Sequence, residues 1–276
     1  MTAGDTATRG QTDTGTRRRG ERESRVTIAG VAVDNLGFDE TLERIDALAG
    51  EGGPHYMAVV NAAKIVGANR DEELLRVLHG ADLVTADGMS VVWASRLLGR
   101  PLKERVTGID LFEKLVGHAA ARGLSVFFFG AREDSVRGVA ELFGSRHSNL
   151  KIAGMRDGYF AESESERIAG EINRSGADLL FVALGSPAQE KWIAANIERS
   201  GVRFALGVGG SFDHLSGRAR RAPRWMQRAG LEWLYRLLSE PRRLWRRYMV
   251  GNTLFIWLVV TQLLRRNTPK KQEGKG

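Results

Sequence analysis

Residues 178–192 read DLLFVALGSPAQEKW. From Leu179 to Leu184 the run is apolar without alternation, the mark of a strand covered on both faces. Gly185 ends it, and Ser186, Pro187 and the residues after them open a helix: serine suits a cap, and proline suits a first turn, where its missing N–H is no loss. The same unit recurs in both directions along the chain. Strands are predicted at His55–Val60, Leu83–Thr85, Ser125–Phe129, Lys151–Met155 and Arg203–Val208, with one or two short ones in Arg25–Val33. Helical spacing is read in Phe38–Ala49, Ala62–Asn69, Met89–Leu98, Val106–Arg122, Asp134–Phe143 and Glu164–Ser175. The expected fold class is α/β: a Rossmann-like, mostly parallel sheet flanked by helices, with a C-terminal helical appendage rich in arginine and aromatic residues.

In such sheets the ligand lies beyond the carboxyl ends of the strands. The loops expected there are Asn61, Asp87-Gly88, Gly130-Ala131-Arg132, Gly185 to Gln189, and Gly209-Gly210-Ser211. Asp87 ends a strand, and Gly88 would allow a tight turn and close approach of a ligand; a helix cap explains an aspartate there equally well. Gly185 to Trp192 reads as a loop that turns backbone N–H groups toward a phosphate or sugar, with Gln189 and Lys191 adding polar contacts, or as an ordinary capped helix. Arg105 is a candidate to neutralise a diphosphate, or a surface ion pair.

Several chemistries are excluded. The chain has no cysteine, so disulfides and thiolate metal sites are absent. Gly207-Val208-Gly209-Gly210 lacks the third glycine of a dinucleotide loop, because Phe212 stands where it would be. The five histidines do not pair at metal-ligand spacing, and no Asp-x-Asp is present. No metal and no cofactor are expected.

Charge is concentrated at one end. The formal net charge is +8, and residues 209–252 place ten arginines among three tryptophans and two tyrosines. That mixture suits a partner both anionic and greasy, a membrane surface or a lipid carrying phosphates. The apolar run Leu254–Leu264 would be a helix of roughly 17 Å, too short for a hydrocarbon core of ~30 Å. It is expected to lie in the interface or to dock on protein. Residues 1–24 are polar and basic and are expected to be a disordered tail. The expected organisation is tail 1–24, α/β core 25–221, appendage 222–252, and apolar segment with basic tail 253–276.

Read in order, VVNAAKI (59–65), ADGMSVVWASRLLGRPLKERVTGIDL (86–111), FFFGARE (127–133), DGYF (157–160), GSPAQEKW (185–192), GVGGSFD (207–213) and RAPRWMQRAGLEWLYRLLSEPRRLWRRY (221–248) resemble the WecG/TagA/CpsF glycosyltransferases. The resemblance covers roughly residues 25–252. It implies a bacterial, metal-independent, inverting transferase. Such an enzyme moves a sugar, of the N-acetylmannosamine type or related, from a UDP-sugar to a polyprenyl-diphosphate-linked sugar. It works on the cytoplasmic face of the membrane, in cell-wall teichoic acid, capsule or exopolysaccharide synthesis. By motif, Asp87 becomes the general base and Arg236 the cation that neutralises the leaving diphosphate. Asn61, Gly88, Arg105, Gly130, Gly185, Gln189, Lys191, Gly209 and Arg221 become substrate-binding residues. The resemblance further implies that soluble forms oligomerise and bury the appendage. One position departs from the teichoic acid branch: Val59 stands where that branch has threonine. The competing reading is a basic protein that binds membrane or nucleic acid without catalysis; the regular leucines Leu231, Leu234, Leu237, Leu238 and Leu244 argue for an amphipathic helix and against nucleic acid.

Overall fold

The computed structural model describes residues 25–219, 222–223, 225–226, 230–239 and 241–267. Six strands form one parallel sheet: β3 (His55–Val60), β4 (Leu83–Ala86), β5 (Ser125–Gly130), β6 (Lys151–Arg156), β7 (Leu179–Ala183) and β8 (Phe204–Gly207), in the order β4-β3-β8-β7-β5-β6. Ahead of them, β1 (Arg25–Ile28) and β2 (Val31–Asp34) pair as an antiparallel hairpin. Its two-residue turn holds both Ala29 and Gly30 at positive φ, the handedness that matches strand twist. Asp34 ties the hairpin to the sheet, accepting from the Val84 amide at 2.7 Å and from Arg25 Nε at 2.8 Å.

The helices are α1 (Phe38–Gly50), α2 (Ala62–Ala68), α3 (Glu72–Gly80), α4 (Met89–Leu97), α5 (Gly108–Arg122), α6 (Glu133–Arg146), α7 (Ser165–Ser175), α8 (Ala188–Ser200), α9 (Ser211–Leu215), α10 (Glu232–Ser239) and α11 (Pro241–Asn267). The two-residue period of a strand sorts the central residues onto opposite faces. Val126 and Phe128 of β5, with Leu179 and Phe181 of β7, meet α1, α5 and α6 on one side. Phe127 and Phe129, with Leu180 and Val182, meet α7 and α8 on the other. Phe112 of α5 centres the first side, its ring 4.6 Å from Phe181 and 5.2 Å from Phe143. A third cluster gathers the hairpin, α2, α3 and α4.

The α/β class and the strands expected from sequence are all present. The sequence reading passed over α3. Its signals are an Asp71 cap accepting from the Leu74 amide at 3.0 Å, two glutamates in the first turn, and Leu74 and Leu78 four residues apart on its buried face. Residues 1–24 and 268–276, where the tails are expected, lie outside the described residues.

The C-terminal apolar run is one stretch of a longer element. α11 is 27 residues, about 40 Å of helix, and it runs through the expected boundary between 252 and 253. Phe255 and Val259 are buried with the third cluster, beside α2. Gln262 clasps the hairpin turn, accepting from the Ala29 amide at 2.7 Å and donating to the Thr27 carbonyl at 2.8 Å. Docking on the body is therefore what the inner face of this helix does. Its other side is exposed at Trp245, Met249, Ile256, Trp257, Val260 and Leu264. At 100° per residue these six fall within about 120° of one another, with Phe255 and Val259 outside that arc on one side of it. No helix among the described residues is long and apolar enough to cross a membrane.

Candidate active site

A cavity of about 590 Å³ opens where β3, β4, β7 and β8 end. Four of the five expected strand-end loops converge there, and the loop Gly130-Ala131-Arg132 does not: Arg132 faces a separate surface hollow beside Asp157 and Tyr159. Asn61 follows β3 and caps α2, its Oδ1 accepting from the Lys64 amide at 3.1 Å. Asp87 follows β4. The N-cap of α4 falls on Gly88, so Asp87 stands one residue ahead of the helix and lines the cavity. Its amide donates to the Val60 carbonyl at 2.9 Å, which holds the Asp87 and Asn61 loops side by side. A side chain on Gly88 would press on this arrangement: a Cβ there would lie 3.2 Å from Ser90 Oγ and 3.4 Å from Asn61 Cβ. The tighter of these contacts is to Ser90 of the same loop, and the one to Asn61 is ordinary packing distance.

The loop after β7 departs from its expected form. Ser186-Pro187 is a cis peptide, Pro187 occupies the N-cap of α8, and no side chain caps that helix. Ser186 lines the cavity instead. Gly185 adopts φ +79° and Gly209 φ +54°, left-handed conformations that glycine takes without strain. Arg105 also lines the cavity. It faces Glu232 at the start of α10, Nη1 to Oε2 at 3.8 Å, both side chains largely buried. This ion pair links the core to the appendage across the cavity.

One wall is apolar. α4 contributes Trp93 and Leu97, and α11 contributes Phe255, Ile256, Val259 and Val260. Trp93, Leu97, Ile256 and Val260 are at the same time substantially exposed, so the apolar wall continues out of the cavity onto the surface. A polar, charge-bearing floor beside a greasy exit is chemically suited to an amphiphile with a polar head and a hydrocarbon chain.

Two residues expected at the site stand elsewhere. Lys191 points away into an acidic pair on α3, 2.9 Å from Asp71 and 2.6 Å from Glu73. These partners hold its ammonium above the usual lysine range and keep it out of the cavity. Gly130 does not line the cavity and packs closely within the sheet: a Cβ there would come within 2.5 Å of the Ala183 backbone. Gln189 lines the cavity but is nearly buried, and its amide is engaged by protein groups. Arg221 lies outside the described residues, and Arg236 lies on α10 with its side chain outside them. Ser211, in a loop expected there, lines the cavity, and Ser90, Thr107, His214 and Glu232 line it without having been foreseen. Ser90, Thr107 and Glu232 fall inside the family-like blocks 86–111 and 221–248 and His214 just after 207–213, but nothing in their local sequence singled them out from their neighbours. Among the described residues no three His, Asp or Glu side chains gather in a way that would hold a metal ion.

The model of the "Glycosyl transferase WecG/TagA/CpsF family" matches residues 26–269. The chain belongs to this family. The glycosyltransferase is also similar to two proteins named N-acetylglucosaminyldiphosphoundecaprenol N-acetyl-beta-D-mannosaminyltransferase. The one from Bacillus subtilis (strain 168) is 38% identical over 193 residues, 70% of this chain and 74% of the relative. The one from Bacillus spizizenii (strain ATCC 23059 / NRRL B-14472 / W23) is 40% identical over 173 residues, 63% of this chain and 66% of the relative. The family match extends through α10 and α11, so the helices that wall the glycosyltransferase's cavity are part of the family's own unit rather than an addition to it.

Proposed function

We propose that this glycosyltransferase moves N-acetylmannosamine, or a closely related sugar, from its UDP derivative to a sugar carried on a polyprenyl diphosphate at the cytoplasmic membrane face. The observation that carries the reading is the joining, in one cavity, of Asp87 and Arg105 with an apolar wall that runs out to the surface. The acceptor class in the relatives' names, a sugar on diphosphoundecaprenol, has the same two halves.

The chemistry is set by those groups. Asp87 takes the proton of the acceptor hydroxyl. The hydroxyl oxygen then bonds to the anomeric carbon from the face opposite the leaving group. The bond from that carbon to the diphosphate oxygen breaks, and UDP departs with the electron pair. Arg105 supplies positive charge toward the departing diphosphate, joined by Arg236 of α10, the cation that the family motif implies. A direct displacement of this kind inverts the anomeric centre.

The surface supports a membrane as the resident partner. Trp245, Met249, Ile256, Trp257, Val260 and Leu264 form one exposed stripe on α11, with Arg242 before it and Arg265 after it along the helix, whereas Arg266 donates to the Leu98 carbonyl of the body. Aromatic and aliphatic groups would enter the headgroup region while arginines meet lipid phosphates. The stripe continues into the cavity wall at Ile256 and Val260, so a lipid-borne acceptor would pass from bilayer to site along one face.

The test is UDP release from a panel of UDP-sugars with lipid-diphosphate N-acetylglucosamine in liposomes. Acceptor-dependent release is expected, with Asp87→Asn slower by at least ~100-fold while still binding UDP. Release that is independent of acceptor, or undiminished in Asp87→Asn, would overturn the proposal.

A further inference from the structure

A buried ion pair at the cavity wall, where Lys64 is a lining residue and Glu190 lies behind it, has no place in the chemistry above. Lys64 on α2 and Glu190 on α8 are both under a tenth exposed, with Nζ 2.7 Å from Oε1. Lys64 Nζ also donates to the Val59 carbonyl at 2.6 Å, at the end of β3. The same Glu190 Oε1 accepts from Gln189 Nε2 at 2.7 Å, and Gln189 Oε1 accepts from the Gly209 amide at 2.9 Å. Glu190 Oε2 is buried with no hydrogen-bond partner among the described residues. The chain of contacts runs from the Asn61 loop, through the ion pair and the Gln189 amide, to the glycine loop after β8.

Only one orientation of the Gln189 amide satisfies both neighbours. The carboxylate needs a donor, and the Gly209 N–H needs an acceptor. Gly207 leaves the room: a Cβ there would stand 2.5 Å from Gln189 Nε2. Without Glu190 as an acceptor the amide could turn over, and Gly209 would lose its partner. A buried pair is expensive to break by removing one member, yet often neutral to replace whole by apolar groups. Stability alone therefore does not account for an ion pair rather than a methionine pair at this place.

We infer that Glu190, held by Lys64, is a positioning residue. It fixes the Gln189 amide, and through it the Gly209–Ser211 loop, in the orientation in which that loop meets the donor. The inference rests on the transferase reading, because the loop lines the same cavity as Asp87 and Arg105.

Two double variants separate positioning from packing. Lys64→Met/Glu190→Gln removes both charges but keeps an acceptor for Gln189. Lys64→Met/Glu190→Met removes the acceptor as well. Single variants such as Lys64→Met should melt lower by on the order of 10 °C, and both doubles should recover most of that. The full-length protein is read by exchange of the Gly209 amide and by kcat and KM for the UDP-sugar. With the acceptor kept, Gly209 protection and kcat stay within about threefold of wild type. With it removed, Gly209 exchanges faster and kcat falls at least ~10-fold at similar melting temperature. Equal kcat in the two doubles, or equal Gly209 protection, overturns the inference; equal loss in both would assign the effect to the Lys64 charge instead. If the wild type turns over no UDP-sugar, the functional reading fails, and Gly209 exchange shows separately whether the amide was held.

Discussion

Asn61 carries two duties in one side chain. It caps α2 through Oδ1, and it lines the cavity beside Asp87. The cap alone contributes about 1 kcal/mol in typical helices, and serine supplies it nearly as well. Asn61→Ser is therefore expected to melt within a degree or two of wild type, and Asn61→Ala several degrees lower. If the amide also touches substrate, both variants lose turnover alike. Recovery of full turnover in Asn61→Ser would reduce the residue to a cap. The sequence placed Asn61 and Asp87 at strand ends, which can be read from apolar runs, and both line the cavity; Arg105, between α4 and α5, also lines it but was singled out by its charge and motif alone. It could not separate Gln189 and Lys191, neighbours in one motif. Their fates depend on what α8 faces: Gln189 turns inward to the glycine loop, and Lys191 turns outward to acids on α3, a helix the sequence reading passed over.

At the scale of elements, Asp71 and the two sides of α11 make separate expectations. The Asp71 carboxylate is held below its ordinary value of 3.8, first by Lys191 and then by the Leu74 amide it caps. An acid whose folded pKa is lowered lends stability above its unfolded pKa and loses it as pH falls through the folded one. Asp71→Asn keeps a capping oxygen but not the charge. Its stability deficit, measured by urea unfolding, should be present at pH 6 and shrink as pH drops below about 3.8. A deficit that stays constant with pH would show the ion pair contributes nothing. On α11, Phe255→Ala acts on the docked side, where Phe-to-Ala changes cost about 3–5 kcal/mol if the helix stays in place. Ile256→Ser/Trp257→Ser acts on the exposed side. The second variant should keep its melting temperature and lose flotation with anionic liposomes; the first should do the reverse. Flotation unchanged in the second would move the membrane contact off this helix, and self-association relieved by it would make the stripe a contact between copies.

For the whole molecule, the appendage is both wall and buttress. The sequence reading set a catalytic core at 25–221, separable from the C-terminal helices, because the apolar run and the arginines look like a surface module. Amphipathic spacing alone could not reveal that Gln262 reaches the Ala29 turn, 233 residues away in sequence. Nor could it show that Phe255 and Val259 complete the third core cluster. A chain ending after Gly251 tests how far that dependence goes. It exposes the partners of Phe255 and Val259, a loss of about 4–6 kcal/mol of burial, partly offset because the removed helix no longer has to be ordered. The two clusters on the faces of β5 and β7 remain intact, so the sheet should persist, with a melting temperature lower by roughly 5–15 °C. Asn61, Asp87, Gly185 and Gly209 all belong to the part retained, so UDP binding should survive while acceptor-dependent turnover disappears with the apolar wall. An unchanged melting temperature would mean that α11 does not rest on the body in solution. Retained turnover would mean that the acceptor's hydrocarbon never needed that wall.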